Sequence, residues 1–198
     1  YQINQIMDVI DHGSSQMSDR QENNRGKTYI RDKAIYTLAL NTGIRVSELV
    51  SLDIGDIDFR RHCFNIIRKR GKEDTVYFSD SVEAALLDWL EIRPQFLSDQ
   101  NEQALFLSTQ GSKKGLRLSV RSVEILVKKY AKIGAPEIGS KITPHKLRSS
   151  YATKIIEKTG GDINYAKNVL GHENITTTTH YIKDNEKQKE LNRNLLDP

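Results

Sequence analysis

The sequence predicts an α+β fold that is mainly α-helical and has a small three-stranded antiparallel sheet at one edge. Apolar residues recur at helical spacing along most of the 198 residues. Between residues 56 and 78 the spacing shortens to alternation in three short runs, and a turn at Arg70-Gly71-Lys72 separates the second run from the third. The alternation predicts three strands, and the basic turn predicts the tip of a hairpin.

Three helices are predicted ahead of the sheet. Apolar residues at positions 3, 6, 7 and 10 start a helical pattern at once. A second helix is predicted over about residues 28–41, and Gly43 is expected to end it because glycine adopts the left-handed conformation of a helix stop at little cost. The chain then reaches Arg45, and Leu49 falls in a short third helix.

Five further helices are predicted after the sheet, because helical spacing returns and suitable N-terminal caps precede it. Asp80 and Glu83 are spaced as a capping pair for the first of them. A strand-like run at residues 104–107 and a loop at residues 108–115 follow that helix, and Pro144 suits the first position of a later one. The predicted capping residues, in chain order, are Asp80, Ser119, Thr143, Asp162 and Asn174.

Composition and charge limit the possible function classes. With 37% hydrophobic and 28% charged residues, the chain can bury a sizeable core as one large domain or two small ones. The single cysteine, Cys63, excludes an internal disulfide and fits a reducing compartment. Residues 59–72 hold six bases and no acid, and residues 111–132 hold seven bases and one acid. Two basic segments indicate a surface for a polyanion, although solvated lysines would leave the same pattern.

Targeting and membrane signals do not stand out in the sequence. No apolar run approaches the roughly 20 residues needed to cross a bilayer, and the first residues do not resemble a secretory signal. We therefore expect a cytoplasmic protein with no membrane partner. The chain starts without Met and enters a helical pattern immediately, so we also expect a piece of a longer polypeptide.

The last part of the sequence contains a candidate nucleophile, a side chain that can transfer protons and a guanidinium that can bind an anion. Tyr181 stands nine residues after His172. A phenol, with a reference pKa near ~10, needs cations and a proton acceptor around it to react at neutral pH. His145-x-x-Arg148 places an imidazole and a guanidinium one helical turn apart, where both can reach one anion. Arg45 adds a second guanidinium far upstream.

Each of these local signals has a structural alternative. Arg45 could simply pair with Glu48 in the next turn of helix. An isolated His-x-x-Arg pair is commonly a surface feature. Lys69 and Lys72 could serve only to keep an exposed hairpin soluble.

Other side chains are assigned to the core or to weaker hypotheses. Trp89 and four tyrosines at helical spacing are interpreted as core residues. A zinc site built from His172, His180 and Cys63 lacks the usual ligand spacing, and Ser149 lacks the G-x-S-x-G setting of a serine hydrolase. The four tyrosines are Tyr36, Tyr130, Tyr151 and Tyr165.

Taken together, the order of these features resembles the catalytic domain of tyrosine recombinases. The matching elements are Thr-Gly-Ile-Arg45, the basic hairpin, the box His145-Lys-Leu-Arg-Ser-Ser-Tyr-Ala-Thr153, Leu-Gly-His172 and Tyr181. They cover nearly the whole chain. The resemblance implies the fold of that domain, with its sheet at one edge, and six catalytic residues: Arg45, Lys69, His145, Arg148, His172 and Tyr181.

The catalytic lysine is the least specific of these assignments. The family pattern Gly-Lys-Gly-x-Lys aligns with Arg68-Lys69-Arg70-Gly71-Lys72, so arginines replace both glycines. Lys69 matches the position of the lysine, and Lys72 remains the alternative.

The resemblance implies chemistry that needs no metal and no cofactor. Tyr181 would attack a DNA phosphodiester and give a 3′-phosphotyrosine and a free 5′-hydroxyl. The two arginines, with His172, would neutralise charge on the non-bridging oxygens. Lys69 would protonate the departing 5′-oxygen, and His145 would assist removal of the phenolic proton.

The resemblance also implies partners and domain boundaries. Residues 1–198 would form one catalytic domain without the upstream core-binding domain, and residues 185–198 would dock on a neighbouring subunit. The partners would be double-stranded DNA and, in the full-length protein, three further copies in a homotetramer. The basic residues expected to contact DNA are Arg68, Arg70, Lys72, Lys113, Lys114, Arg117, Arg121 and Lys146.

The function expected on this basis is that of a site-specific DNA recombinase or integrase, encoded by a bacterium, a phage or another mobile element. Two alternatives remain at the level of sequence. One is DNA relaxation of the type IB topoisomerase kind, and the other is a non-catalytic DNA-binding regulator with the same fold.

Overall fold

The computed structural model describes residues 2–171, with Lys69 described by its backbone alone. In that part of the chain the helices pack around a central core, and three antiparallel strands form a sheet in the order β1-β2-β3. The predicted α+β class and the small three-stranded sheet are confirmed. The helices are α1 Gln2–His12, α2 Asp19–Thr42, α3 Val46–Ser51, α4 Asp80–Ile92, α5 Val120–Gly134, α6 Pro144–Lys158 and α7 Ile163–Leu170. The strands are β1 Ile57–Asp58, β2 Cys63–Ile67 and β3 Glu73–Tyr77.

Helix α2 organises the core, since it packs against α1, α4 and α6. Tyr36 on α2 and Tyr130 on α5 are fully buried and meet edge to face. Trp89 on α4 is also fully buried, and its indole N–H donates to the carbonyl of Leu105 at 2.8 Å. The sequence-based core assignment is confirmed for these three residues, whereas Tyr151 is only partly buried. Among residues 2–171, no helix has the length and apolar character to span a bilayer.

The hairpin of the sheet contacts the first turn of α3, where Glu48 lies. Strands β2 and β3 pair in register from Cys63 opposite Tyr77 to Ile67 opposite Glu73. The tip is a short 3₁₀ turn at Lys69–Gly71. The turn is closed by the backbone, because the Arg68 N–H donates to the Lys72 carbonyl at 2.7 Å.

Three sequence-based predictions are wrong in detail. Helix α2 begins at Asp19, not near residue 28, because Ser18 and Gln21 form a capping box ahead of a polar first half that lacks an apolar stripe. Helix α4 is capped at Ser79, one residue before the predicted pair. Tyr165 is half exposed instead of buried, since it lies on the outer face of the short helix α7.

The strand-like run at residues 104–107 is buried but does not form a continuous β-strand. It makes isolated bridges from Ala104 to Asp53 and from Leu107 to Arg117. The predicted helix that begins at Asn174 lies outside the described residues.

Candidate active site

Three chain segments meet at Gly43, where α2 ends. Gly43 has a φ of 61° and donates its N–H to the Ala39 carbonyl, as a left-handed helix stop does. A Cβ atom at this position would lie 2.9 Å from Cδ2 of Leu170 and would overlap the ring of Tyr151. The absence of a side chain at Gly43 therefore allows α6 and the end of α7 to approach the end of α2.

Arg148 joins these segments through its guanidinium. It lies on α6, which begins as predicted with Thr143 as the cap and Pro144 at the first position. The residue is only 4% exposed. Its Nη1 donates to the Gly43 carbonyl, and its Nη2 donates to the Leu170 carbonyl at 2.5 Å.

Arg45 reaches the same place from the start of α3. Its Nη2 donates to the carbonyl of Gly171 at 3.3 Å, next along the chain from the carbonyl that Arg148 uses. We call the carbonyls of Gly43, Leu170 and Gly171 the carbonyl junction. The two predicted arginines are thus brought together at the carbonyl junction, directly before His172 in the sequence.

The alternative pairing of Arg45 with Glu48 also exists in the structure. The Glu48 carboxylate accepts from Nη1 of Arg45 at 2.7 Å and from its backbone N–H at 2.9 Å. The side chain of Arg45 remains about one-third exposed, at 35%. The ion pair therefore orients Arg45 while leaving part of its guanidinium open to solvent.

Arg68 is a third guanidinium in this cluster, and its position was not expected from the sequence. Its Nη1 lies 3.1 Å from Oε2 of Glu48, and its Nε donates to Asp74 at 2.9 Å. The side chain is only 7% exposed. A Cβ atom on Gly171 would lie 2.9 Å from its Nε, so the guanidinium packs directly against that glycine. This placement favours a structural role for Arg68 over contact with DNA.

Among residues 2–171, guanidiniums outnumber carboxylates in this cluster. Three guanidiniums, those of Arg45, Arg68 and Arg148, face the two carboxylates of Glu48 and Asp74. Burial of Arg68 and Arg148 reduces the screening of their charges by water. Such a site favours an anion with several oxygens, such as a phosphodiester.

Of the other four predicted catalytic residues, the structure describes the whole of His145 and the backbone of Lys69. His145 lies at the exposed start of α6, one turn before the buried Arg148. Lys72 is exposed at the hairpin, and Lys69 is described by its backbone, so the choice between the two lysines stays open. His172 and Tyr181 lie outside the described residues.

The residues predicted to contact DNA divide into two groups. Arg117 is engaged within the protein, because its Nη1 donates to the carbonyls of Val50 and Leu52 and its Nη2 pairs with Asp53. Arg68 is engaged as described above. Arg117 is still partly exposed and stays a predicted DNA contact. The remaining residues are exposed and also stay predicted DNA contacts: Arg70, Lys72, Lys113, Lys114, Arg121 and Lys146.

One group of described residues has side chains of the types that bind metals. Ligand atoms of His62, Asp80 and Glu83 lie within 4.8 Å of one another. The Asp80 side chain is 97% exposed, and both acids lie in the first turn of α4, where acids ordinarily complement the helix dipole. We therefore interpret the group as surface ion pairs. Cys63, from the weaker zinc hypothesis, is buried in the sheet.

Sequence reasoning missed the importance of Gly43 and Glu48. Gly43 was assigned only as a helix stop, and Glu48 only as a competing partner for Arg45. The signal that could have drawn attention to Glu48 is its spacing three residues after an arginine that already stands at a helix start. No spacing rule could have revealed that Arg68 shares the carboxylate, because that contact joins two separate elements.

Comparisons with known proteins identify the family. The model of the phage integrase family matches residues 1–188. A tyrosine recombinase XerC of Vibrio cholerae is 40% identical over 153 residues, covering 77% of this chain and 46% of the relative. A XerC of Caldanaerobacter subterraneus is 38% identical over 168 residues, covering 84% and 45%. The chain spans about half the length of the curated relatives that it matches.

Solved structures show the same fold. The XerA recombinase superposes with a TM-score of 0.73 at 24% identity, covering 100% of this chain and 64% of that one. The XerH site-specific recombinase, bound to its difH substrate in a pre-cleavage complex, gives a TM-score of 0.69 at 23% identity, with 91% and 48% covered.

Proposed function

The chain belongs to the phage integrase family, and on that premise we propose that it is the catalytic domain of a site-specific DNA recombinase. It would cut and rejoin DNA through a 3′-phosphotyrosine intermediate. The reaction conserves the energy of the phosphodiester in the protein linkage, so no high-energy cofactor is needed.

The observation that carries the proposal is the convergence of Arg45 and Arg148 on the carbonyl junction. The two residues are far apart in sequence, yet they donate to consecutive carbonyls, those of Gly171 and Leu170. Two guanidiniums held in place by backbone acceptors need little reorganisation when charge develops on a phosphate. Loss of a single such preorganised donor typically costs about 100- to 1000-fold in rate.

In the proposed chemistry, each catalytic residue has one role. The oxygen of Tyr181 forms a bond to phosphorus, and the bond from phosphorus to the 5′-oxygen breaks. The 5′-oxygen takes a proton from Lys69 or Lys72, and the phenolic proton leaves toward His145. Arg45 and the buried Arg148 stabilise the pentacoordinate transition state through its non-bridging oxygens. The reverse steps, with a different 5′-hydroxyl, rejoin the strand.

The proposed assembly extends beyond this domain. We propose double-stranded DNA as the substrate, since the Tn1549 transposon integrase, a protein of similar fold, was solved in complex with transposon right end DNA. We also propose a homotetramer for the whole protein, with residues 185–198 docking on a neighbouring subunit. The bacterial origin of the curated relatives supports a reaction in the bacterial cytoplasm.

A covalent-trapping experiment tests the proposal. The probe is a pool of nicked duplexes with a randomised core, in which cleavage beside the nick releases a short fragment and prevents rejoining. The 198-residue chain should give a denaturant-resistant protein–DNA adduct, and sequencing of the trapped DNA should return one enriched site. Tyr181→Phe should give no adduct, and Tyr151→Phe serves as the matched control on a tyrosine outside the proposed chemistry. An adduct that persists in Tyr181→Phe would disprove the assignment of the nucleophile.

Two further assays of the same protein distinguish a recombinase from a topoisomerase-like enzyme and from a non-catalytic regulator. Relaxation of a supercoiled plasmid that lacks the enriched site would indicate topoisomerase-like activity. Binding to duplex DNA without any adduct, on nicked or intact duplex, would indicate a non-catalytic regulator. A recombinase should give adducts with clear sequence preference.

A further inference from the structure

Arg68 is a buried charged residue that the proposed chemistry does not use. Its side chain is 7% exposed, and it pairs with one carboxylate that is 6% exposed, Glu48, and another that is partly exposed, Asp74. Burying a guanidinium is costly unless its donors are satisfied. A buried guanidinium of this kind is expected to hold other groups in place through its contacts.

The contacts of Arg68 connect two parts of the proposed active site. Through Glu48 it shares a carboxylate with Arg45, because Oε1 of Glu48 accepts from Arg45 at 2.7 Å and from Arg68 at 3.4 Å, while Oε2 lies 3.1 Å from Arg68. It also packs against Gly171, whose carbonyl accepts from Arg45. The guanidinium is therefore fixed against both the carboxylate and the backbone that orient Arg45.

The backbone of Arg68 holds the hairpin tip. Its N–H donates to the Lys72 carbonyl at 2.7 Å, and its carbonyl accepts from the Gly71 N–H at 3.1 Å. Lys69 is the next residue in the chain. A side chain locked at Arg68 thus limits the movement of the backbone that carries both candidate lysines.

We propose that Arg68 is a positioning residue that fastens the lysine-bearing hairpin tip to the arginine site, so that the general acid meets the phosphate at the correct distance. This inference rests on the proposed function, since it assumes that a hairpin lysine protonates the leaving 5′-oxygen. Arg68 touches neither DNA nor the reacting atoms in this assignment. It acts through Lys69 or Lys72.

The test compares two leaving groups on the site recovered by covalent trapping. One nicked duplex carries the natural 5′-oxygen, and the other carries a bridging 5′-sulfur at the scissile phosphate. A thiolate leaves without protonation because thiols have a pKa near ~8.5, whereas an alkoxide, whose pKa is close to the ~15.7 of water, needs a general acid. A defect in general-acid positioning is therefore repaired by sulfur, and a defect in folding or phosphate binding is not.

Arg68→Gly restores the residue of the family pattern and removes the anchor. We expect adduct formation on the oxygen substrate, at saturating DNA, to slow by about 10- to 100-fold, the loss that displacement of a catalytic group by about 1 Å produces. On the sulfur substrate we expect the rate to return to within a few-fold of the unsubstituted protein. Arg68→Lys keeps the charge but cannot span both carboxylates, so we expect an intermediate loss with the same repair.

Arg70→Gly is the matched control. It makes the same replacement and the same charge change two residues away, at an exposed position with a φ of 67° that glycine accepts readily. We expect it to raise the Kd for DNA through loss of a predicted phosphate contact. The ratio of its rates on the two substrates should equal that of the unsubstituted protein.

The outcomes separate the two hypotheses. If the unsubstituted chain gives no adduct in the covalent-trapping experiment, the proposed function fails. If it forms adducts but Arg68→Gly is equally slow on both substrates, Arg68 acts through Arg45 or the fold and the inference is overturned. Unchanged rates on both substrates would overturn it as well. Lys69→Ala and Lys72→Ala, measured in parallel, identify the lysine whose loss sulfur repairs.

A second readout addresses the contact with Gly171 without any DNA. Gly171→Ala should lower the Tm because its Cβ would lie 2.9 Å from Nε of Arg68 at a φ of 59°. In the Arg68→Gly background the steric part of that loss should disappear, and only the strain of the left-handed conformation should remain. Equal losses in both backgrounds would show that Arg68 does not press on Gly171.

Discussion

Replacement of Gly43 by alanine is the sharpest test of how the site is assembled. Gly43 ends α2 with a φ of 61°, and its carbonyl accepts from Arg148. A Cβ atom there would lie 2.9 Å from Cδ2 of Leu170 and 3.2 Å from Cε1 of Tyr151. These neighbours are side chains packed on α6 and α7, so the added atom pushes apart the three segments that form the carbonyl junction.

The expected loss of stability has two parts. The left-handed conformation costs an L-residue about 1–2 kcal/mol, and overpacking by one methyl group costs about 1–3 kcal/mol. Reduced freedom of the unfolded chain returns about 0.4–1 kcal/mol. The net loss is about 3 kcal/mol, which corresponds to a decrease in Tm of roughly 6–12 °C for a chain of this size.

The measurement is urea and thermal unfolding, with Gly26→Ala as the matched control. Gly26 lies in the same helix, and a Cβ atom there would meet nothing within 4 Å. We expect Gly26→Ala to raise stability by about 0.5–1 kcal/mol because alanine is the better helix former. A loss of stability in Gly43→Ala together with a gain in Gly26→Ala would support the packing described at Gly43. A Gly43→Ala protein that melts within about 1 °C of the unsubstituted one would refute it.

Three further predictions follow from the described contacts. Burial raises the pKa of Tyr36 and of Tyr130 well above the ordinary 10, so both stay neutral in the folded protein at a pH where the unfolded chain loses those protons. The free energy of unfolding should therefore be unaffected below pH 10 and should fall above it by about 1.4 kcal/mol per pH unit per tyrosine. Urea unfolding in alkaline buffers measures this dependence. Asp32→Ala removes the buried acceptor of Arg31, Thr28 and Tyr130 and should lower stability by about 3–5 kcal/mol in urea, whereas a loss below about 1 kcal/mol would contradict the role of this network. Binding of the trapped DNA site should weaken linearly on a log–log plot as salt increases, and a salt-insensitive Kd would contradict binding through the exposed basic residues.

Much of the fold could be predicted because its signals are local. The alternation that identified β2 and β3 depends only on which side of a strand each residue faces, and the caps Ser119, Thr143 and Asp162 act on backbone N–H groups within three residues. The start of α2 was missed because it carries no such periodic signal. Its polar first turns have no apolar stripe, and only the capping box at Ser18 marks where it begins.

The candidate site was predicted in part. Sequence motifs selected Arg45 and Arg148, and the structure brings both to the carbonyl junction. The same reasoning assigned Arg68 to the DNA surface from its place in a basic run, since charge in sequence does not reveal burial. Arg117 differs from Arg68, because its Nη1 and Nη2 bind backbone carbonyls and Asp53 while its side chain stays 38% exposed, so it remains a predicted DNA contact.

The sequence by itself determined the fold class and the family, because residue types and their spacing act through interactions between residues that are close along the chain. Only the tertiary structure decided which charges act together. The contact of Arg68 with Glu48 and the approach of Gly171 to both arginines join α3, the hairpin and α7. Such contacts depend on how separate elements pack, and the sharing of one buried carboxylate between two arginines exists only after that packing is complete.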